Sequence, residues 1–393
     1  MSSSAVPREV SEGFRTAERC FTADSPYRTL SRTPVQYDTL VFQKKARYSL
    51  LKLEYTGTIG RALRLDDLST LGVSTQTLAE DAIARGDWEQ ARSLVDYFYE
   101  EMRIMHGILT IWIRDILRYI VEHAGVDDPS ARAASAGMAR MLEAYPIGQA
   151  GRERCREALV SWDAAAAVDW LDRMRLEFKN PHEMLVAWIQ DLLTYVATAW
   201  GEEAVLDSIL ETHQSIWGDR YARWDQMTPH EKLALTVEGM RGGHFSGTRR
   251  RGDMALLDEG DRLTLIMQPC GSGGVLRGGD PETGRSPYPV AEHGVNQEPH
   301  LWTWQKRDIH WYCAHCCISM EWLPGRKRGR PLRPLDHVMD PAAPCTWYIY
   351  KDESETRAYH YPRSGLETPS YAPDRGEDWR AEYPGGANGT SNQ

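Results

Sequence analysis

The sequence predicts an α+β protein. An N-terminal bundle of duplicated helical hairpins is followed by a small loop-rich β domain with a cysteine metal site. Three observations carry this reading. Helical periodicity runs from about Tyr48 to Met240, two segments within that stretch align without a gap, and after Gly243 the pattern turns to short apolar runs between Gly/Pro-rich loops. The 393 residues leave room for about two domains. The boundaries read from composition are an extended arm over 1–37, the bundle over 38–243, the cysteine-rich domain over 244–361 and a Gly/Pro/Asn-rich disordered tail over 362–393.

Within the helical half, "QTLAEDAIARGDWEQARSLVDYFYEEM" has helical spacing broken at Gly86, which predicts two antiparallel helices with a tight turn. "HGILTIWIRDILRYIVEHAG" (106–125) aligns on "HEMLVAWIQDLLTYVATAWG" (182–201). The shared positions include His106/His182, Trp112/Trp188, Asp115/Asp191 and Tyr119/Tyr195, and upstream Glu101 matches Glu177. A "DW" pair also precedes each copy, Asp87-Trp88 and Asp169-Trp170, at different gaps. Asp115 and Asp191 sit on a Trp/Tyr stripe, which reads as a hydrogen-bonded structural network. The Glu-x4-His spacing misses the Glu-x-x-His of bundle di-metal sites, and Pro181 is expected to break the second helix between Glu177 and His182. "TPHEKLALTVEGMRGG" (228–243) predicts a helix capped by Thr228, started by Pro229 and closed by its glycine pair.

In the second half, "DMALLDEGDRLTLIMQPCGSGG" predicts two strands turning at "DEGD". "CTWYIYK" and "HWYCAHCCISMEWL" are also strand-like. "HWYCAHCC" (310–317) packs three cysteines and two histidines into eight residues. With no apolar leader at the N-terminus, the seven cysteines suggest a reducing cytoplasm, where clustered thiols bind metal or do redox work more often than they form disulfides.

Cys270, Cys313, Cys316 and Cys345 are the expected metal ligands. Cys313 and Cys316 form a C-x2-C knuckle, and the outer pair comes from flanking loops. Zinc is the expected metal, ahead of an iron–sulfur centre. His300, His310, His315 and Cys317 are possible substitutes among the ligands. The glycines after Cys270 would let a ligand approach the backbone, or would simply turn it so that its amides bond the sulfur. A further reading makes Cys270 a nucleophile, with His244 or His310 as its base.

The net charge of -10 and pI near 5.7 argue against broad nucleic-acid or anionic-membrane binding. No long uncharged apolar run suggests a membrane span. "RKRGRPLRP" (326–334) resembles a minor-groove hook but lies inside the cysteine domain and reads as a solvated loop. The expectation is a cytoplasmic bacterial zinc enzyme, a hydrolase or lyase. It would act on an apolar or aromatic small molecule held between the two halves. The five tryptophans at 302, 304, 311, 322 and 347 suit such a pocket, and suit a β-domain core equally. The alternatives are a zinc-stapled sensor or interaction module and an iron–sulfur oxidoreductase.

Overall fold

The computed structural model describes residues 53–373, apart from 126–132, 134–135, 139–140, 143–144, 218–219, 245–251, 268–269, 291–292 and 342. The expected arm over 1–37 lies outside the described residues. So does the part of the expected tail beyond 373. The fold mixes helices with two small antiparallel sheets. Strands β1 (Leu53–Thr56) and β2 (Arg61–Arg64) pair as a hairpin. A short α1 (Leu68–Leu71) leads into the first helical hairpin, α2 (Thr75–Ala84) and α3 (Trp88–His123). The second hairpin is α4 (Gln149–Val160) and α5 (Ala164–Trp200).

Both hairpins turn in the same way. In the first, Gly86 adopts a left-handed φ of 72°, its N–H bonds Ile83 O, and the Asp87 N–H bonds Ala82 O. In the second, Trp162 (φ 58°) bonds Leu159 O and Asp163 bonds Ala158 O. This is the paired closure that satisfies the last carbonyls of a helix. Each aspartate then caps the next helix, accepting from Gln90 N–H and Ala166 N–H respectively. Asp87 and Asp163 thus hold the same place in their turns, and their separation in sequence equals that between His106 and His182.

Helix α5 runs unbroken through Pro181, contrary to the sequence expectation. Phe178, Lys179, His182 and Glu183 are buried around the proline, so packing on both sides overrides its missing donor. Asp115 is buried and ion-paired with Arg114 at 2.9 Å, whereas Asp191 is exposed and accepts from the Tyr288 hydroxyl. The two aspartates thus have different partners. Glu101 pairs with Arg241 and Glu177 accepts from Gly151 N–H, so these two glutamates also diverge.

Next come α6 (Glu202–Trp217), α7 (Arg220–Trp224) and α8 (Pro229–His244). Thr228 and Glu231 cap α8 reciprocally, as the sequence predicts. The glycine pair at 242–243 does not end α8, which continues to His244. Those glycines instead allow close approach. A Cβ on Gly243 would lie 2.8 Å from His182 Cε1.

The second sheet runs β3 (Ala255–Asp258), β4 (Arg262–Met267), β6 (Cys345–Tyr350), β5 (Leu335–Asp336) in space, all antiparallel. Between β4 and β5 the chain forms α9 (Gly273–Gly278), α10 (Trp311–Cys317), a π-turn over Ile318–Trp322 and α11 (Leu323–Arg328). The segment read as strand-like, "HWYCAHCCISMEWL", is therefore helical. Trp311, Ala314, Cys317 and Ile318 have essentially no exposed surface, and burial on every side erases the helical period that marks an amphipathic helix. Its N-terminal cap also comes from far away: Gln190 of α5 accepts from Tyr312 N–H at 3.0 Å and donates to Gly294 O at 2.6 Å. A last short helix, α12 (His360–Arg363), places Arg363 against buried Glu321 and Asp336.

One hydrophobic core runs continuously from α3, α5, α6 and α8 to the second sheet and α10, and a second fills the base of the two hairpins. No helix among the described residues is long and apolar enough to cross a membrane.

The two turns make a matched test. Trp162 is 71% exposed in a backbone conformation that disfavours any side chain. Trp162→Gly is expected to raise the unfolding free energy by about 1 kcal/mol, and Gly86→Ala to lower it by about as much. Denaturant melts of both variants check this.

Candidate functional site

Helices α3, α6 and α8 meet the second sheet and α10 around a cavity of about 330 Å³. Its walls are mainly apolar: Met105, Leu109 and Trp112 of α3, Ile209 and Ile216 of α6, Leu235 and Met240 of α8, with Trp224, Met267, Met320 and Trp347. On one side Glu238 takes a bidentate pair from Arg61 and a hydrogen bond from the Tyr97 hydroxyl at 2.6 Å.

All four cysteines expected as ligands line this cavity. Cys313 and Cys316 lie one turn apart on α10, so the C-x2-C spacing puts both thiols on one helix face. Cys345 opens β6 opposite Met267, the last residue of β4, and Cys270 follows three residues beyond that strand. Sheet pairing thus brings together two thiols 75 positions apart in sequence. The fit is close. A Cβ on Gly273 would lie 2.6 Å from Cys313 Sγ.

The Cys345 thiol hydrogen-bonds the Cys270 sulfur and holds it below the ordinary cysteine range. Burial opposes this, while the amides of Gly274 and Ser272 and the Arg277 guanidinium reinforce it. The same bond, with burial, pushes Cys345 well up. Burial raises Cys313 to about 11 and pushes Cys316 well up.

Arg277 is 8% exposed. It donates to Gly273 O at 3.2 Å, Val338 O at 2.6 Å and Met339 O at 3.1 Å. Burial works against its charge, and the sulfurs of Cys313, Cys345, Cys270 and Cys316 favour it where they are ionised. Among the described residues no carboxylate forms an ion pair with it.

Among the described residues, no group of three or more His, Cys, Asp or Glu side chains is placed to hold a metal ion. His310 is buried just before α10 but does not line the cavity, and among the described residues its ring nitrogens have no hydrogen-bond partner. His244 is the last residue of α8; its side chain lies outside the described residues. Of the five tryptophans expected around the site, only Trp347 lines the cavity.

His315 is among the possible ligands read from the sequence, whereas the places of His182, Ser272 and His337 at the site carry no signal of their own. His182 Nε2 meets the Ser272 hydroxyl at 2.9 Å, and Ser272 also bonds Tyr312. Burial, with His106 nearby, pushes His182 down to about 3 and keeps it neutral. His315 sits 4.7 Å from the Trp112 ring and lies 3.7 Å from Cys316 Sγ. His337 is 4% exposed, stacks on Trp304 and lines the cavity, and among the described residues neither ring nitrogen has a hydrogen-bond partner. The basic loop "RKRGRPLRP" is engaged within the protein: Arg328 and Arg330 pair with Glu353, and buried Arg333 reaches Thr236 at 2.7 Å.

No protein-family model matches this chain, and no curated protein or solved structure matches it.

Gly273→Ala forces a methyl into the space held by the Cys313 sulfur. It is expected to destabilise the protein by about 1–3 kcal/mol, as overpacked cores do. It should also change the rate at which Cys313 reacts with a thiol reagent. A thermal melt and timed alkylation read by peptide mapping check both effects.

Proposed function

We propose that this protein is an enzyme that uses the Cys270 thiolate on an apolar or aromatic small molecule held in the cavity. One observation carries the reading. The buried Arg277 guanidinium, paired with no carboxylate among the described residues, faces four thiols, and Cys270 is the one whose surroundings favour the anion. Arginine keeps its charge when buried, so a thiolate is the natural counter-ion. The amides of Ser272 and Gly274 stabilise that anion further. The cavity, about ten water-sized groups in volume, suits a small apolar ligand. His337 offers it one buried hydrogen-bonding group.

Zinc held by the same four thiols is the second reading. It is favoured by their sharing one cavity wall, and a zinc centre of this kind would serve hydrolysis or elimination by polarising the substrate. We also infer that the helical part arose by duplication of one hairpin, because turn, cap and helix start share one register.

Iodoacetamide should label Cys270 first among the cysteines, and an apolar compound that fills the cavity should slow that labelling. Cys270→Ser should remove the fast phase and spare the fold. Labelling of Cys270 no faster than Cys155, which is buried and pushed up to about 12, would contradict the thiolate reading. Stoichiometric zinc in the purified protein, lost together with the fold on chelation, would favour the second.

A further inference from the structure

We infer that the cavity binds an apolar carboxylic acid of medium length, with the ligand's carboxylate on the buried Arg277 guanidinium and its chain along the walls built by α3, α6 and α8. The inference rests on the proposed use of the cavity for a small molecule. It adds the charge, the size and the direction of that ligand.

The charges of the lining point to an anion. Among the described residues the lining holds one carboxylate, Glu238, and Arg61 already takes it in a bidentate pair. Arg277 lines the same cavity at 8% exposure, and among the described residues it forms no ion pair with a carboxylate. An arginine does not shed its charge by deprotonation. A ligand that brings a negative charge therefore offsets Arg277, and one that brings a positive charge is repelled. The guanidinium is also held in place before any ligand arrives. Its Nε donates to Gly273 O, and its Nη1 donates to Val338 O and Met339 O. Nη2 takes part in none of these three bonds and can meet a carboxylate oxygen. A fixed cation that is already out of water costs less to engage than a mobile surface arginine. His337 directly precedes the two acceptor residues and lines the cavity, and among the described residues neither of its ring nitrogens has a partner. Its N–H offers a donor to the second oxygen at the same end.

The other buried arginine of the wall is engaged differently. Arg333 donates to Thr236 Oγ1 at 2.7 Å, its Nε and Nη2 meet the Met320 sulfur, and its guanidinium lies over the Trp224 and Trp347 rings. These contacts tie it to the aromatic wall, which leaves Arg277 as the anchor.

The remaining walls set the body of the ligand. A cavity of about 330 Å³ holds about ten water-sized groups, the size of an eight-carbon acid. A chain lying against Leu109, Trp112, Ile209, Ile216, Leu235 and Met240 takes apolar surface out of water on both partners. A sugar or an amino acid would leave hydroxyls or an ammonium group against these side chains without partners.

The test uses the full chain and isothermal titration calorimetry at neutral pH, with octanoate and octan-1-ol as probes of equal chain length and different charge. Octanoate should bind about tenfold or more tighter than octan-1-ol, the advantage of a charge-assisted hydrogen bond over a neutral one. Arg277→Met should remove that preference and keep octan-1-ol binding, whereas Arg333→Met should keep the preference. Equal binding of the two probes by the wild type would overturn the inference. So would a preference that survives in a folded Arg277→Met protein. The wild-type comparison decides even where a variant fails to fold. Failure of both probes to bind removes the small-molecule reading of the cavity together with this inference, whereas equal binding removes this inference alone. Slow labelling of Cys270 by iodoacetamide, with octanoate still preferred, removes the thiolate reading and keeps this one.

Discussion

A guanidinium does not give up its charge inside a protein, and burying one obliges its surroundings to supply negative potential. Arg277 is that constraint here. Three carbonyl oxygens take its donors, from Gly273 in its own helix and from Val338 and Met339 ahead of β6. They accept from it at two of its nitrogens, and among the described residues no carboxylate pairs with it. The sulfurs of Cys270, Cys313, Cys316 and Cys345 favour its charge where they are ionised. The loop between β4 and α9, the head of β6 and α10 all bring cysteines to the lining of the same cavity.

The rest of the fold serves that arrangement. Helix α10 needs a cap because its N-terminus is buried, and Gln190 reaches from α5 to provide it. Helix α8 approaches α5 closely enough that Gly243 has no room for a side chain beside His182. Gly273 faces the same limit against Cys313. Glycines in this molecule therefore mark close contacts around the cavity as well as turns. The ion pair of Arg241 with Glu101, both buried, ties α8 to α3 on the opposite wall. The cavity is thus enclosed by elements locked to one another by polar contacts with little freedom to slide.

Much of the frame was legible in the sequence because its signals are local. The Gly86 turn, the Thr228–Glu231 cap and the strands on either side of "DEGD" are each written within a few residues. The cysteines named from spacing share one cavity, because C-x2-C places two thiols on one face in a helix as well as in a knuckle. The failures have a common physical source. "HWYCAHCC" looks like a strand because burial leaves no polar face to reveal its helical period. Pro181 looks like a break because the packing that overrides it comes from residues distant in sequence. The hydrogen bond of His182 to Ser272 joins positions 90 apart, and no local pattern announces it. The likeness of the two hairpin turns is equally hidden, since the second uses Trp162 at the left-handed position where the first uses Gly86.

In the proposed reading the buried charge of Arg277, beside the Cys345 thiol and the amides of Gly274 and Ser272, helps to hold Cys270 as a thiolate. The rate of Cys270 alkylation by iodoacetamide at neutral pH, compared between wild type and Arg277→Met, tests it most directly, with circular dichroism confirming that both are folded. The account predicts that the rate falls about tenfold or more in the variant, the change that a loss of about 1.4 kcal/mol of thiolate stabilisation produces. An unchanged rate in a folded Arg277→Met protein would contradict it.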